Sequence, residues 1–406
     1  MAQGRGKVIP FKIKTFTGLN NIDPPEQTKP GELQTANNVD IGNNGQVKRR
    51  DGYVSVYTGN IHSLFAMEGL CLFREGISLK RLNTDFTATI LRSGIDGNRK
   101  MAYLSLNGNI YYSDGIVTGV IQDNVSRTWG MEPPSVPTLT SASGLLREGR
   151  YSVVLTWVRN DGQESGSSDI TFLDVSQGGG IYISDIPVSS DPTVQYVNVY
   201  MTTTNGEIFY LAATVENSVT ETSYQGDCSE FTIRLMTQFM SNPPEGEMIE
   251  YYNSRVYIAQ NNVLWFTENF NYELISLDNG YIIFDSPITL LASNQDGIYL
   301  ATENETIFMS GDEIPLKRIK IADYGAVKGT SVKMTADVLM PIEGLNLSGV
   351  AIFWLSKKGI CIGLRGGMFK NMTLTKYLFP ESSEGTGLFR QQEGLNSYLV
   401  AIQVKN

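Results

Sequence analysis

The chain holds one histidine, His62, and that count alone removes most side-chain chemistry. A Ser-His-Asp triad, a histidine zinc site or a pair of imidazole acid–base groups each needs histidine beside partners, and nothing near His62 supplies a nucleophile or second ligand. His62 is therefore read as a structural residue ahead of an apolar strand. Cys71, Cys228 and Cys361 lie far apart and match neither a metal-ligand spacing nor a disulfide framework; each falls in or beside an expected strand. A carbohydrate-cleaving propeller would need two carboxylates in a cleft and often an aspartate box, Ser-x-Asp-x-Gly-x-Thr-Trp. The nearest stretch, SNQDGIYL at 293–300, puts Asp296 directly before Gly297 and lacks the tryptophan, so it reads as a turn.

Two further patterns fail in the same way. DIGNNGQVKRRD, 40–51, sets Asp40, Asn44, Gly45 and Asp51 at calcium-loop positions, but Gly42 occupies the third position and three cations interrupt the run. A hairpin turn is expected there. The glycines at 178–180 and 366–367 belong to turns between strands, with no following helix to hold a phosphate. No catalytic residue, metal site or cofactor is expected, and the chain is not read as an enzyme.

What remains is a run of three cations, Lys48, Arg49 and Arg50. It could touch DNA or an acidic protein surface, or be a solvated strand end with local ion pairs. The reading adopted is a contact between subunits or with an adjoining ring. Trp265, Phe266, Phe353 and Trp354 could stack on glycans, but aromatics in inner strands are expected in the core.

The elements that carry these residues are strands. Forty glycines and 20 tyrosines, set among short Val/Ile/Tyr runs, favour strands joined by tight turns, with very little helix. Prolines at 24, 25 and 30 bar regular structure until NVDI, which pairs with QVKRR around Asn44-Gly45. From Ile61 hairpin follows hairpin, as in KMAYLSL turning through Asn107-Gly108 into NIYYSDG. The grammar resumes after Gly246 in IEYYNSRVYIAQNNVLWFTEN and VAIFWLSKKGICIGLRGGM. Repeated meanders of about 40 residues suggest propeller blades; a plain antiparallel sandwich or barrel is the alternative. The last strand, SYLVAIQVKN, and KVIPFKIK near the start would close the ring by sharing a blade.

Between Pro133 and about Arg234 the rhythm breaks and the charge turns acidic, which marks an inserted domain at 133–240 of sandwich type, returning through SNPPEGE. The fold class is thus all-β: a β-propeller over 1–132 and 241–406 with an amino-terminal arm, interrupted by a β-sandwich. With 32 Lys+Arg against 42 Asp+Glu and a pI near 4.9, binding nucleic acid is not the principal task expected. The imbalance is local: residues 1–50 carry eight Lys+Arg against four Asp+Glu, and 131–240 four against thirteen. No signal peptide and no apolar run of membrane-spanning length is visible, so synthesis in a cytoplasm is expected.

At FTGLNNIDPPEQTKPGELQTANNVDIGNNGQVKRRDGY, 16–53, the sequence resembles the tail nozzle proteins of short-tailed bacteriophages, also called packaged-DNA stabilisation or tail tubular proteins. That family carries an entry of the form F.G.N....P.....GE...A.NVDI...G...RR.GY ahead of propeller blades. GRYSVVLTWVRNDGQESGSS is similar to its interrupting fibronectin type III-like module, and YLVAIQVKN to its closing strand. The resemblance implies a structural virion protein, a ring of usually six copies below the portal and adaptor rings, which retains double-stranded DNA and passes it without specific binding. The partners implied are the adaptor (head-to-tail connector) protein and tail fibre or spike proteins, and the location is the virion tail. This chain is shorter than many relatives and lacks their larger tip insertions. The competing expectation is an adhesin that binds host-surface glycans or a receptor.

Overall fold

The computed structural model describes residues 13, 15–339, 341–342, 344–392 and 394–404. Among them the regular structure is strand, relieved only by two single 3-10 turns at Ala336–Val338 and Arg365–Gly367. The contacts divide the chain into two compact units. One comprises Asn60–Thr84 and Ala88–Ile283; the other comprises Met1–Gly59, Asp85–Thr87 and Phe284–Asn406.

In the first unit, four consecutive strands, Ile61–Met67, Leu70–Glu75, Ser78–Leu82 and Ala88–Arg92, form an antiparallel meander in chain order. A second meander follows with Ala102–Leu106, Asn109–Ser113, Thr118–Gln122 and Val125–Arg127. Its first turn is Asn107-Gly108 with both φ positive, 52° and 80°, the geometry that matches the twist of a two-residue hairpin. The third meander runs through Met248–Tyr252, Arg255–Gln260 and Val263–Glu268. The last of these pairs with Tyr281–Ile283 along its first half and with Asn271–Ser276 along its second.

Successive sheets bury their faces against each other. Leu72 and Leu79 of the first meander meet Ile110, Tyr112 and Ile121 of the second. The opposite face of the second, Tyr111 and Val120, packs with Ile249, Val256 and Ile258 of the third. Burial on both faces is why the inner strands are continuously apolar instead of alternating.

Between the second and third meanders lie seven strands in two sheets. Thr138–Leu146, Gly179–Ser184 and Thr222–Tyr224 form one; Thr171–Val175, Gly149–Arg159, Val194–Thr202 and Phe209–Glu216 form the other in that spatial order. The chain crosses between the two sheets four times, and Tyr151, Val153, Leu155, Trp157, Val197 and Val199 fill the space between them with Leu146, Ile181 and Ile183. This is a sandwich, inside the expected 133–240 segment. Ahead of the expected return linker at 241–247, the insert carries one more paired segment. Residues 233–235 pair with the Phe209–Glu216 edge, and Leu235 covers Val154, Tyr200 and Phe209 on the sheet's outer face.

In the second unit, two more four-stranded meanders follow in chain order. The fourth has Ile288–Ser293, Ile298–Thr302, Thr306–Ser310 and Lys317–Ala322; the fifth has Val332–Thr335, Val350–Ser356, Gly359–Gly363 and Phe369–Asn371. Tyr299, Phe308, Trp354 and Cys361 lie in the core between them. The carboxyl-terminal strands Ser382–Gln392 and Leu395–Val404 form a long hairpin whose Phe389 and Tyr398 pack on the fifth meander. The final strand therefore lies in a two-stranded sheet. The partner expected for it, KVIPFKIK at 7–14, lies outside the described residues except for Ile13.

The arm contains more regular structure than its prolines suggest. Gly18–Leu19 pairs in parallel with Glu32–Leu33, held by an Asn20 side chain that bonds Asp23 and Glu32. Local side-chain hydrogen bonds supply what the prolines cannot.

Candidate functional site: the arm clasped on the carboxyl-terminal hairpin

The run of cations expected to make contacts sits on the arm hairpin, Val39–Ile41 with Val47–Arg49. Its turn closes with Gly45 N–H donating to Gly42 C=O and Gly42 N–H to Gln46 C=O, with Gly45 at φ 75°. A side chain at Gly45 would also strike Thr15, so glycine there serves both the turn and the close approach of the incoming chain.

The three cations separate. Arg50 turns back and donates from Nε to Asp40 Oδ1 at 3.2 Å, while Arg390 of the carboxyl-terminal hairpin donates to Asp40 Oδ2 at 2.8 Å. Burial alone would raise the Asp40 carboxyl, but the hydrogen bonds from Arg390 and Arg50 outweigh it and hold the group below the usual carboxylate range. Lys48 pairs with Asp51 at 3.3 Å, and Gln392 also donates to Asp51. Arg49 is exposed and pairs with none of the described residues.

A second tie fastens the arm farther back. Lys376 pairs with Glu32, whose carboxyl is lowered to about 2 by the hydrogen bonds of Lys376 and Asn20. Asn21 exchanges hydrogen bonds with the backbone of Leu378 in both directions, at 2.8 and 3.1 Å. Around the hairpin tips Asp40, Asn43, Lys48, Arg390, Gln392 and Leu395 line a shallow recess of about 380 Å³. It is open, and its charged groups already pair with each other, Asp40 with Arg390 and Lys48 with Asp51.

The remaining sequence candidates are structural. His62 is half-buried, with Nδ1 2.8 Å from Ser63 Oγ, and burial together with the charge of Arg74 keeps its pKa below the ordinary value. Phe266, Phe353 and Trp354 are buried, and half-buried Trp265 leans on Tyr281. Asp296 accepts from Arg365 at 3.0 Å and from Gly366 N–H, which lowers its pKa. Among the described residues no three His, Cys, Asp or Glu side chains are grouped to hold a metal, and the three cysteines are free.

No family model matches the chain, and no curated protein matches it either. Solved structures similar to it include the N-terminal domain of Nup159, at 9% identity over 88% of this chain and 75% of that one, with a TM-score of 0.28. Saccharomyces cerevisiae Sqt1 is matched at 9% identity over 74% of this chain and 92% of its own, with a TM-score of 0.20. The extracellular domain of the hybrid two-component system BT4673 from B. thetaiotaomicron is matched at 9% identity over 89% and 61%, with a TM-score of 0.24. Likeness at this level carries no argument about closure or function.

Sequence reasoning missed two buried ionic joints. Arg74 is fully buried; it donates to Asp114 at 2.7 Å and to the carbonyls of Ile95, Asp96 and Arg99 at 3.0 Å, tying the first meander to the second. Arg159, at the end of the long sandwich strand, donates to Glu273 at 2.5 Å, Thr128 Oγ1 at 2.8 Å and Asp191 at 3.1 Å. Arg127 grips the same Glu273 with both terminal nitrogens. The sandwich is thereby bolted to the second and third meanders. The only signal was an arginine beside a turn, which looks like any solvated strand end.

Proposed function

We propose that this chain is a structural virion protein, a subunit of the ring that forms the distal tail tube, or nozzle, of a short-tailed bacteriophage. It retains packaged DNA and conducts it during ejection. The observation that carries this reading is the clasp. The stretch that resembles the nozzle entry motif folds as a hairpin tied through Asp40 to Arg390, on the strand that pairs with the stretch resembling the nozzle closing strand, and through Glu32 to Lys376, which precedes that pair of strands. The five meanders serve in this reading as blades of one propeller, and the seven-stranded insert as its fibronectin type III-like module.

Charge supports the same assignment. A tube that conducts DNA works best when it does not bind it, and an acidic subunit repeated around a channel repels phosphates at short range. The unit that holds the first three meanders and the insert carries 24 Asp+Glu against 12 Lys+Arg. Satisfied ion pairs, in place of open carboxylate clefts, also suit a wall better than a catalyst.

The purified full-length chain separates this reading from a host-surface adhesin. Native mass spectrometry should find a closed ring, with six copies expected, and a glycan array should find no binding. A monomer that binds glycans with micromolar affinity would replace the nozzle with the adhesin.

A further inference from the structure

Two surfaces of opposite character lie on this chain. On the arm, Arg49 is exposed beside Val47, and Tyr53, Val54 and Val56 stand uncovered in a stretch without strand pairing, Val54 at 88% exposure. On the insert, where 233–235 pair with the Phe209–Glu216 edge, Ile208 and Met236 are exposed, Met236 at 77%. Exposed Glu207 and Glu230 flank them, while the one local cation, Arg234, lies over the ring of Tyr210. Each patch combines uncovered apolar side chains with charge of a single dominant sign, the composition of a surface that is covered in an assembly.

We infer that the arm of one copy docks on this acidic edge of the insert of a second copy. The proposal rests on the ring reading above and assigns its interface. The charge complementarity is between two different patches of one sequence, and the contact repeated in one direction from copy to copy builds the ring of the reading above. Arg49 supplies the free cation, because Arg50 is committed to Asp40 and Lys48 is paired with Asp51. Tyr53 and Val54 supply apolar cover for Ile208 and Met236. Salt weakens the charged part, since exposed charges are screened beyond about 8 Å at physiological ionic strength, and leaves the apolar part in place.

The test mixes equal amounts of light and 15N-labelled full-length chain and treats them with a zero-length carbodiimide, which joins lysine to carboxylate. Mixed-isotope cross-links from Lys48 to Glu207 or Glu230 are expected, falling several-fold at high salt. Arg49→Glu should weaken association about tenfold without altering the melting curve, and Glu207→Lys with Glu230→Lys should restore it. Rings whose mixed-isotope cross-links join other surfaces would overturn this interface and leave the ring reading standing. A chain that stays monomeric at high concentration would overturn both.

Discussion

Arg390 and Asp40, 350 positions apart, meet at 2.8 Å, and the same carboxylate receives Arg50 at 3.2 Å. One acid thus holds two cations and joins the arm to the last hairpin. Asp40→Asn keeps the shape but removes the charge, and loss of a charge-assisted pair at a half-exposed position costs roughly 1–2 kcal/mol. Hydrogen exchange over 39–49 should accelerate about tenfold, while the sandwich strands keep their protection. Unchanged exchange in the arm would show that the clasp does not hold it.

The second tie has a pH signature. Glu32 is lowered from 4.5 to about 2, so its contribution is complete above pH 4.5 and disappears as pH falls toward 2. A side-chain carboxyl NMR titration should find Glu32 ionising near 2, and Lys376→Met should move it up toward the ordinary value. Titration near 4.5 in the unaltered chain would mean that Lys376 and Glu32 are not paired in solution.

Arg159 is the test of whether the insert is an appendage. Arg159→Met leaves Asp191 without its arginine and strips Glu273 of one of two, at a cost of about 3–5 kcal/mol for breaking a buried pair. A chain with two compact units need not unfold in one step, so the readout must be local. Fluorescence of Trp129, Trp157 and Trp265, all in the acidic unit, should shift to lower urea. Arg74→Met should do the same through Asp114, which it leaves buried and unpaired.

Gly166→Ala probes the strap formed by residues 233–240, which runs from the segment paired with the Phe209–Glu216 edge to Met240 beside Gly166. A Cβ at Gly166 would lie 1.8 Å from the carbonyl oxygen of Met240, a backbone clash that no rotamer relieves. The variant should push the strap off the sandwich and expose the outer-face cluster of Val154, Tyr200 and Phe209 to a hydrophobic dye. Native dye binding would place the strap elsewhere in solution.

The sequence pattern made the hairpins legible because their signals are local. Asn107-Gly108 and the NVDI–QVKRR hairpin declare themselves within a few residues, and continuous runs such as AIFWL report burial on both faces. The ionic joints were not legible, because nothing in the residues around Arg159 points to Glu273, 114 positions away. The strap was hidden for a different reason: residues 233–235 gain their strand pairing only from the edge they land on. Of the three cations singled out, only Arg49 remained available. Arg50 is tied to Asp40 and Lys48 to Asp51, the two acids at the ends of the calcium-like stretch.

The most direct test of the structural assignment is electron microscopy of negatively stained phage particles decorated with an antibody against this chain. Label confined to a ring on the lower tail tube is the result the nozzle reading predicts. Label on peripheral fibres, or none on particles, would contradict it.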